Sequence, residues 1–296
     1  MQELQGKTIV VTGPTGILGA PLVADLAREN TVVALARFSD PEVRAALESQ
    51  GVQCYTIDFA DPDFGSIPTD VDVVLNLAVS KSGDWRHDLA ANAEGAGTLM
   101  SHFRGAGAFL HCSTGAVYKP NGGEPFEVEG AHGDHHQNML PTYSISKIAA
   151  ESVVRFAADE FELPTVIARL NVPYSDMNGW PWFHLQMMRA GMDIEVSADG
   201  ARYNVIHADD IAADIPYLLA EASVDAPAIN WASPGVVSVE EWCSYIAELG
   251  GAPAAKIVEA ERALPSTVMN LDRIGELRPD RLVDWRAGIE RLVEAN

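Results

Sequence analysis

The clearest chemistry in this 296-residue chain lies in two residues, Tyr143 and Lys147 of the segment Tyr143-Ser-Ile-Ser-Lys147. Residues four apart on a helix share a face, so a phenol and an ammonium would stand side by side. A free phenol ionises at about pH 10, and a neighbouring positive charge favours its phenolate. Such a pair can give or take a proton at a hydroxyl or carbonyl oxygen. Tyrosine and lysine at this spacing are also an ordinary helix pair, so the surroundings must decide. The stretch His111-Cys-Ser-Thr114 ends an apolar run, and a hydroxyl at Thr114 could hold a reacting oxygen against Tyr143. The plain alternative for Ser113-Thr114 is a turn or helix cap.

A second device precedes this one. Thr12-Gly13-Pro14-Thr15-Gly16-Ile17-Leu18-Gly19 follows a β-branched run, Lys7 to Thr12, and opens a helical pattern. A pyrophosphate at such a junction meets unpaired helix N–H groups and the positive end of the helix dipole. The glycines let backbone and ligand approach, and the last lets strand and helix pack closely. The spacing GxxGxxG differs by one residue from the GxGxxG fingerprint, and glycines also gather in plain turns. Gly13, Thr15, Gly16, Ile17 and Gly19 are the candidate dinucleotide contacts. With a nicotinamide dinucleotide there, the proton chemistry of Tyr143 would accompany hydride transfer.

The elements that must position these groups alternate regularly. Strands are expected at Lys7–Thr12, Thr31–Ala36, Val52–Ile57, Val71–Leu77, Ala108–Cys112 and Pro164–Leu170. Helices are expected at about 16–29, from Pro41, at 86–104 and at 142–162. This rhythm predicts a Rossmann-type, doubly wound parallel α/β sheet, with a small C-terminal α/β substrate lobe. The expected partition is a dinucleotide domain over 1–172, with 205–222 returning to it, and a lobe formed by 173–204 and 223–296.

Bulk properties narrow the classes. The formal net charge of −22 disfavours nucleic acid and anionic lipid as partners. No apolar run approaches the roughly 20 residues of a membrane-spanning helix. The N-terminal residues 1–7 lack a secretion-signal pattern. Cys54, Cys112 and Cys243 form no CxxC pair, so neither a disulfide framework nor a zinc knuckle is expected. A cytoplasmic protein with a small-molecule substrate is the expectation. The histidines of the loop 131–138 invite a metal reading, but a solvated flap is expected there, with no metal.

In their order along the chain, TGPTGILG, Ile57-Asp58-Phe59-Ala-Asp61, Asn76-Leu77-Ala78, Asn92 in NAEGAGTL, STGAVY, YSISK, Arg169-Leu-Asn171-Val172-Pro173 and Val205-Ile-His-Ala-Asp209-Asp210-Ile211 resemble the extended short-chain dehydrogenase/reductases, the NAD(P)-dependent epimerase/dehydratase group. The resemblance covers roughly residues 5–222. It implies that Thr114, Tyr143 and Lys147 are a catalytic triad and that Asn92 completes a proton relay. It places Asp58 and Phe59 at the adenine, Leu77 and Ala78 along the cofactor, and Asn171 and Val172 beside the nicotinamide. Lys147 would also grip the ribose. Ser80, Thr114, Tyr143, Asn171 and Arg202 are the expected substrate contacts, and Asp209-Asp210 are expected to cap their helix. Many members pair through two long helices, here 86–104 and 142–162, so a homodimer is expected.

The choice of dinucleotide turns on the end of the second strand. Where NAD sites carry an acid for the ribose hydroxyls, this chain has Ala36 followed by Arg37, which could clamp a 2′-phosphate. NADP is therefore favoured over NAD, with Asp40 as the competing acidic candidate. Gly115-Ala116 follow Thr114 where dehydratases of the family carry Asp-Glu, which argues against dehydration. Arg202 is one residue out of register with the arginine of nucleotide-sugar sites, which favours a smaller, uncharged substrate. The expected function is hydride transfer between the nicotinamide and a carbonyl or alcohol carbon. The alternative is a sugar or nucleotide-sugar epimerase working through a keto intermediate on retained NAD, and a non-catalytic dinucleotide sensor ranks last.

Overall fold

The computed structural model describes residues 4–296; the first three residues of the N-terminal segment read above lie outside the described residues. The chain runs β1 (Thr8–Thr12), α1 (Gly19–Leu26), β2 (Thr31–Ala36), α2 (Pro41–Ser49), β3 (Gln53–Thr56) and β4 (Val73–Asn76). Then come α3 (Trp85–Leu89), a π-helical turn (Ala90–Glu94), α4 (Gly95–His102), β5 (Ala108–Thr114), α5 (Tyr143–Glu160) and β6 (Thr165–Leu170). The remainder comprises β7 (Val172–Ser175), β8 (Asn178–Gly179), α6 (Trp180–Arg189), β9 (Asp193–Val196), β10 (Arg202–His207) and α7 (Ala208–Ala220). It ends with β11 (Ala228–Trp231), β12 (Val236–Ser238), α8 (Val239–Glu248), β13 (Lys256–Glu259), α9 (Asp272–Leu277) and α10 (Trp285–Glu294).

The chain divides into two compact units. The first comprises residues up to Thr114, Thr142–Arg169 and Asp214–Ile229. It holds the seven-stranded sheet, ordered β11-β6-β5-β4-β1-β2-β3. The runs Thr8–Thr12 and Val73–Asn76 lie parallel and in register, Val10 against Val74 and Thr12 against Asn76. Strands covered on both faces read as continuous apolar runs, and Ile9, Val10 and Val11 are fully buried. The order reverses between β1 and β4, so the strand ends there diverge and leave a crevice at their carboxyl edge. This is the expected doubly wound sheet.

Two elements differ from the sequence reading, each for a local reason. The first helix starts at Gly19 and not at Gly16. Gly13 takes a φ of +66°, and its carbonyl accepts from Gly16 N, which makes a turn before the helix. The helix expected over 86–104 runs without a gap from Trp85 to His102, but it contains a π turn at Ala90–Glu94. Just beyond that turn, a Cβ on Gly95 would lie 2.6 Å from the carbonyl oxygen of Phe59. The chain can pass so close to the loop after β3 only without a side chain.

The second unit comprises Gly115–Pro141, Leu170–Ala213 and Asn230–Asn296. It holds a four-stranded sheet, β12-β10-β7-β8, and the pair β13-β9. Its core gathers Tyr174, Tyr203, Trp242 and Ile246. Residues 115–141 join this unit: Tyr118 Oη donates to Asn230 Oδ1, and Phe126 N donates to Val268 O. The histidine loop, expected as a solvated flap, is exposed at Ala131, His132, Gln137 and Asn138 but anchored at one residue. His135 is buried, and its Nε2 lies 3.1 Å from Ser266 O and from Thr267 Oγ1. The Asp209-Asp210 pair lies in the first turn of α7, yet Asp210 holds the C-terminal segment, accepting from Arg278 Nη1, Leu282 N and Val283 N. Asp209 pairs with Arg291.

The most demanding electrostatics in the first unit belong to Glu151 of α5, which is fully buried. It accepts from Arg169 Nε at 2.9 Å and Nη2 at 2.7 Å, and from Ser113 Oγ at 2.6 Å. Burial opposes its ionisation, but the Arg169 hydrogen bonds and charge outweigh this and hold the carboxyl at about 2. Replacing Arg169 with Leu strands a buried charge, so unfolding in urea should show a loss of about 3–5 kcal/mol; a loss below about 1 kcal/mol would show that Ser113 and Arg155 suffice. Because the folded carboxyl sits below its ordinary 4.5, the Glu151 contribution is present above pH 4.5 and is lost as pH falls toward 2.

Candidate functional site

The carboxyl ends of β1 to β4 build one pocket. It is lined by Gly13, Thr15 and Gly16 after β1, by Arg37 to Asp40 after β2, by Asp58 and Phe59 after β3, and by Leu77 to Ser80 after β4. Asn92 and His87 complete it. The glycines fit a closely approaching ligand. A Cβ on Gly13 would meet Ala78 Cα at 3.0 Å, and one on Gly19 would stand 2.2 Å from the carbonyl oxygen of Gly13. Of the expected cofactor residues of the loop, Ile17 and Gly19 shape the turn and do not line the pocket. Arg37 does line it and is exposed. Asp40 lines it as well, but its Oδ1 accepts from Glu42 N and caps α2.

Helix α5 begins at Tyr143, so Tyr143 and Lys147 are one turn apart as the spacing predicts. The side chains of Thr114 and Tyr143 are hydrogen-bonded. Burial pushes the Tyr143 phenol up to about 12, and the Thr114 hydrogen bond offsets part of this. The sequence reading has Lys147 lowering the phenol; here its Nζ is engaged elsewhere. Lys147 Nζ donates to Cys112 O at 2.8 Å and lies 3.3 Å from His111 Nε2. Lys147 is 2 % exposed, and burial brings its amine down to about 8. The cation over the phenol ring is Lys81, whose Nζ is 4.6 Å from the ring centroid.

Asn92 sits in the π turn and joins pocket to helix. Its Nδ2 donates to Ser80 O at 2.9 Å and to Ser146 Oγ at 3.0 Å, and its Oδ1 accepts from Ser80 N at 2.7 Å. Ser146 Oγ in turn donates to Tyr143 O at 3.0 Å. Single π turns inside α-helices often mark functional positions. The hydroxyl of Ser80, expected at the substrate, is spent on Asp88 Oδ1 at 2.6 Å. Asp88 also accepts from Ser82 N and Oγ, Gly83 N and Thr142 Oγ1. Burial works against its ionisation, yet the hydrogen bonds from Ser80, Thr142 and Ser82 hold its carboxyl far below the usual range.

The first unit thus brings together Thr114, Tyr143, Lys147, Asn92 and the pocket residues. Asn171, Val172 and Arg202 belong to the second unit. There Asn171 Nδ2 donates to Thr267 O at 2.7 Å, Val172 is buried in β7, and Arg202 is an exposed residue of β10. Sequence reasoning missed Asp88, Lys81 and His111. The available signals were an acid four residues before Asn92 and a histidine inside the otherwise apolar start of β5.

No functionally curated protein matches the chain in sequence. Solved structures match it closely in fold. The UDP-glucuronic acid 4-epimerase of Bacillus cereus, in complex with UDP-glucuronic acid and NAD, superposes with a TM-score of 0.82 at 19% identity, covering 97% of this chain and 98% of that one. A UDP-glucose 4-epimerase of Thermus thermophilus, in complex with NAD, gives 0.80 at 21% identity over 97% and 98%. An epimerase of Methanothermobacter thermautotrophicus gives 0.82 at 21% over 99% and 92%. At these identities the likeness is one of fold. The family model is more telling, because it spans the phosphate loop, the pocket strands and the Tyr143 helix: residues 9–231 match it, and the chain belongs to the NAD dependent epimerase/dehydratase family.

Proposed function

We propose that the chain moves a hydride between a nicotinamide dinucleotide and the carbon of a secondary alcohol or its ketone. The observation that carries this reading is the Thr114–Tyr143 hydrogen bond, on a helix tied through Ser146 and Asn92 to the glycine-built pocket. The dinucleotide, when bound, supplies the hydride acceptor or donor. Gly13, Thr15 and Gly16 would hold its phosphates, Asp58 and Phe59 its adenine end, and Leu77 and Ala78 its middle. Thr114 orients the substrate oxygen, and Tyr143 takes or returns its proton. Lys147, when protonated and turned from Cys112 O toward the phenol, would make it a stronger acid.

Within that chemistry we favour epimerisation, in which one carbon of a sugar nucleotide is oxidised and re-reduced on a dinucleotide that stays bound. Family membership and the UDP-sugar epimerases among the structural neighbours support it. Dehydration is disfavoured by the residues after Thr114. Gly115 and Ala116 follow Thr114, so no carboxylate stands there, and Gly115 instead packs against Met269 Cε and Thr267 Cγ2.

A second reading, a net NADP-linked reductase acting on a smaller molecule, is favoured by one specific observation. Arg37 lines the adenosine end of the pocket while Asp40 is engaged as a helix cap. We place the protein in the cytoplasm; among the described residues no helix is long and apolar enough to cross a membrane.

The freshly purified protein should release near-stoichiometric NAD on denaturation. An empty protein that binds NADPH reversibly would replace epimerisation with the reductase reading, and failure to bind either nucleotide would end both. Arg37→Glu should weaken NADP at least tenfold more than NAD; equal losses would mean that Arg37 does not read a 2′-phosphate. Tyr143→Phe keeps the ring and removes the proton, so turnover should fall by about 10²–10⁴-fold with dinucleotide affinity nearly unchanged. Near-normal turnover in that variant would sink the mechanism.

We also propose a homodimer built on α4 and α5. Phe156 of α5 is 68% exposed, and Ile145 of the same helix is exposed as well, so α5 presents apolar side chains that a partner could cover. Sedimentation should show a dimer that Phe156→Lys weakens; a monomeric wild type would refute this pairing.

A further inference from the structure

A row of buried polar side chains crosses the carboxyl ends of three adjacent strands and ends at Lys147. Thr12 of β1 stands in register with Asn76 of β4, and Asn76 with His111 of β5. Thr12, Asn76, His111 and Lys147 are all buried. The proposed reaction assigns nothing to Asn76 or His111, yet every hydrogen in the row has a direction fixed by chemistry.

The direction is set at Thr12. Its Oγ1 accepts from Leu77 N at 3.0 Å and Ala78 N at 2.9 Å, so its single proton must go to Asn76, 2.9 Å away. The Asn76 atom facing it is therefore the acceptor Oδ1, which leaves Nδ2 to donate to His111 Nδ1 at 3.1 Å. An imidazole whose Nδ1 accepts carries its proton on Nε2. That Nε2–H faces Lys147 Nζ at 3.3 Å. An ammonium has only hydrogens to offer and an amine has a lone pair, so this contact is a hydrogen bond only when Lys147 is neutral. A doubly protonated His111 would set Nδ1–H against Asn76 Nδ2–H, and burial further opposes that charge.

We infer that His111 is a positioning residue that favours the amine form of Lys147 and so lowers its basicity, through a hydrogen-bond row that starts at the backbone of the dinucleotide pocket. The inference rests on the proposed role of Lys147, and it adds a reason for the charge of this lysine to be conditional. In its amine form, bonded to His111 and Cys112 O, Lys147 lends the phenol of Tyr143 no charge, and a midpoint of about 8 makes that form the majority only above pH 8. When its Nζ moves off His111, water-like basicity returns and the ammonium supports the phenolate.

The other titratable groups acting on Lys147 are Cys112 of β5 and Glu151 one turn further along α5, both raising its basicity, and Lys81, which lowers it. Asp88, on the helix packed against α5, spends its carboxylate on Ser80, Ser82, Gly83 and Thr142. Burial is the largest influence and brings the amine to about 8.

Nitrogen NMR on histidine- and lysine-labelled protein, without added ligand, tests this directly. His111 should show the Nε2–H tautomer, unchanged across neutral pH, and Lys147 should titrate at about 8. Asn76→Asp presents only acceptors, so it should move the His111 proton to Nδ1, turn Nε2 into an acceptor and raise the Lys147 midpoint by about one unit or more, a tenfold change. His111→Phe removes the opposing N–H and should also change that midpoint, which a purely space-filling histidine would not do. A wild-type proton on Nδ1, a His111 titrating near its ordinary 6.5, or a Lys147 midpoint unmoved in the variants would overturn the inference. The wild-type tautomer alone decides if the variants fail to fold. No substrate or turnover is involved, so this outcome is separate from that of the nucleotide-release experiment.

Discussion

The site depends on one carboxylate that touches no reacting atom. Asp88 gathers hydrogen bonds from the segment Ser80–Gly83 after β4 and from Thr142 at the start of α5. A buried carboxylate is costly unless its lone pairs are occupied, so the segments that supply donors are held to it and thus to one another. Through this requirement the pocket wall and the residue preceding Tyr143 are fixed to a single point. Asn92, one turn after Asp88, then ties the same wall to Ser146. Two polar residues on one face of a helix with a π turn therefore place both the cofactor pocket and the helix that carries the phenol.

Much of this arrangement was legible in the residues. The β-branched runs Thr8–Thr12 and Thr31–Ala36 announce strands covered on both faces, because no polar face interrupts them. The glycine loop between β1 and α1 is legible for a related reason: only glycine fits at 13 and 19 against Ala78 and the Gly13 carbonyl. The four-residue spacing of Tyr143 and Lys147 survives as one turn of α5. What spacing cannot show is which neighbour a flexible lysine chooses. Lys147 turns to Cys112 O and His111, and Lys81, distant in sequence, covers the phenol ring instead.

The misread segments share a physical cause. The histidine loop looks polar and is largely exposed, yet His135 within it is buried, with Ser266 O and Thr267 Oγ1, more than a hundred residues away, flanking its Nε2. Asp210 looks like a helix cap, yet Arg278 and the N–H groups of Leu282 and Val283 claim it. In both cases a distant partner in the chain decides the role of a local motif. Patterns within ten residues determine strands, turns and helix faces; they carry no information on pairings made across the fold.

The π turn at Ala90–Glu94 has a consequence for how this chain is read beside its relatives. Such a turn holds one residue more than the α-helical path requires, and each residue rotates an α-helix by about 100°. A relative without the extra residue would be aligned with a gap, and a gap placed on the wrong side of the turn would match its polar residue to Ala91 or Ala93 instead of Asn92. Ala91 and Ala93 carry no hydrogen-bonding side chain, so the link from Ser80 to Ser146 would look lost when it is merely displaced. Insertions of a single residue inside a helix thus act as a frame in which function is encoded, and comparisons that ignore the frame will undercount conserved chemistry.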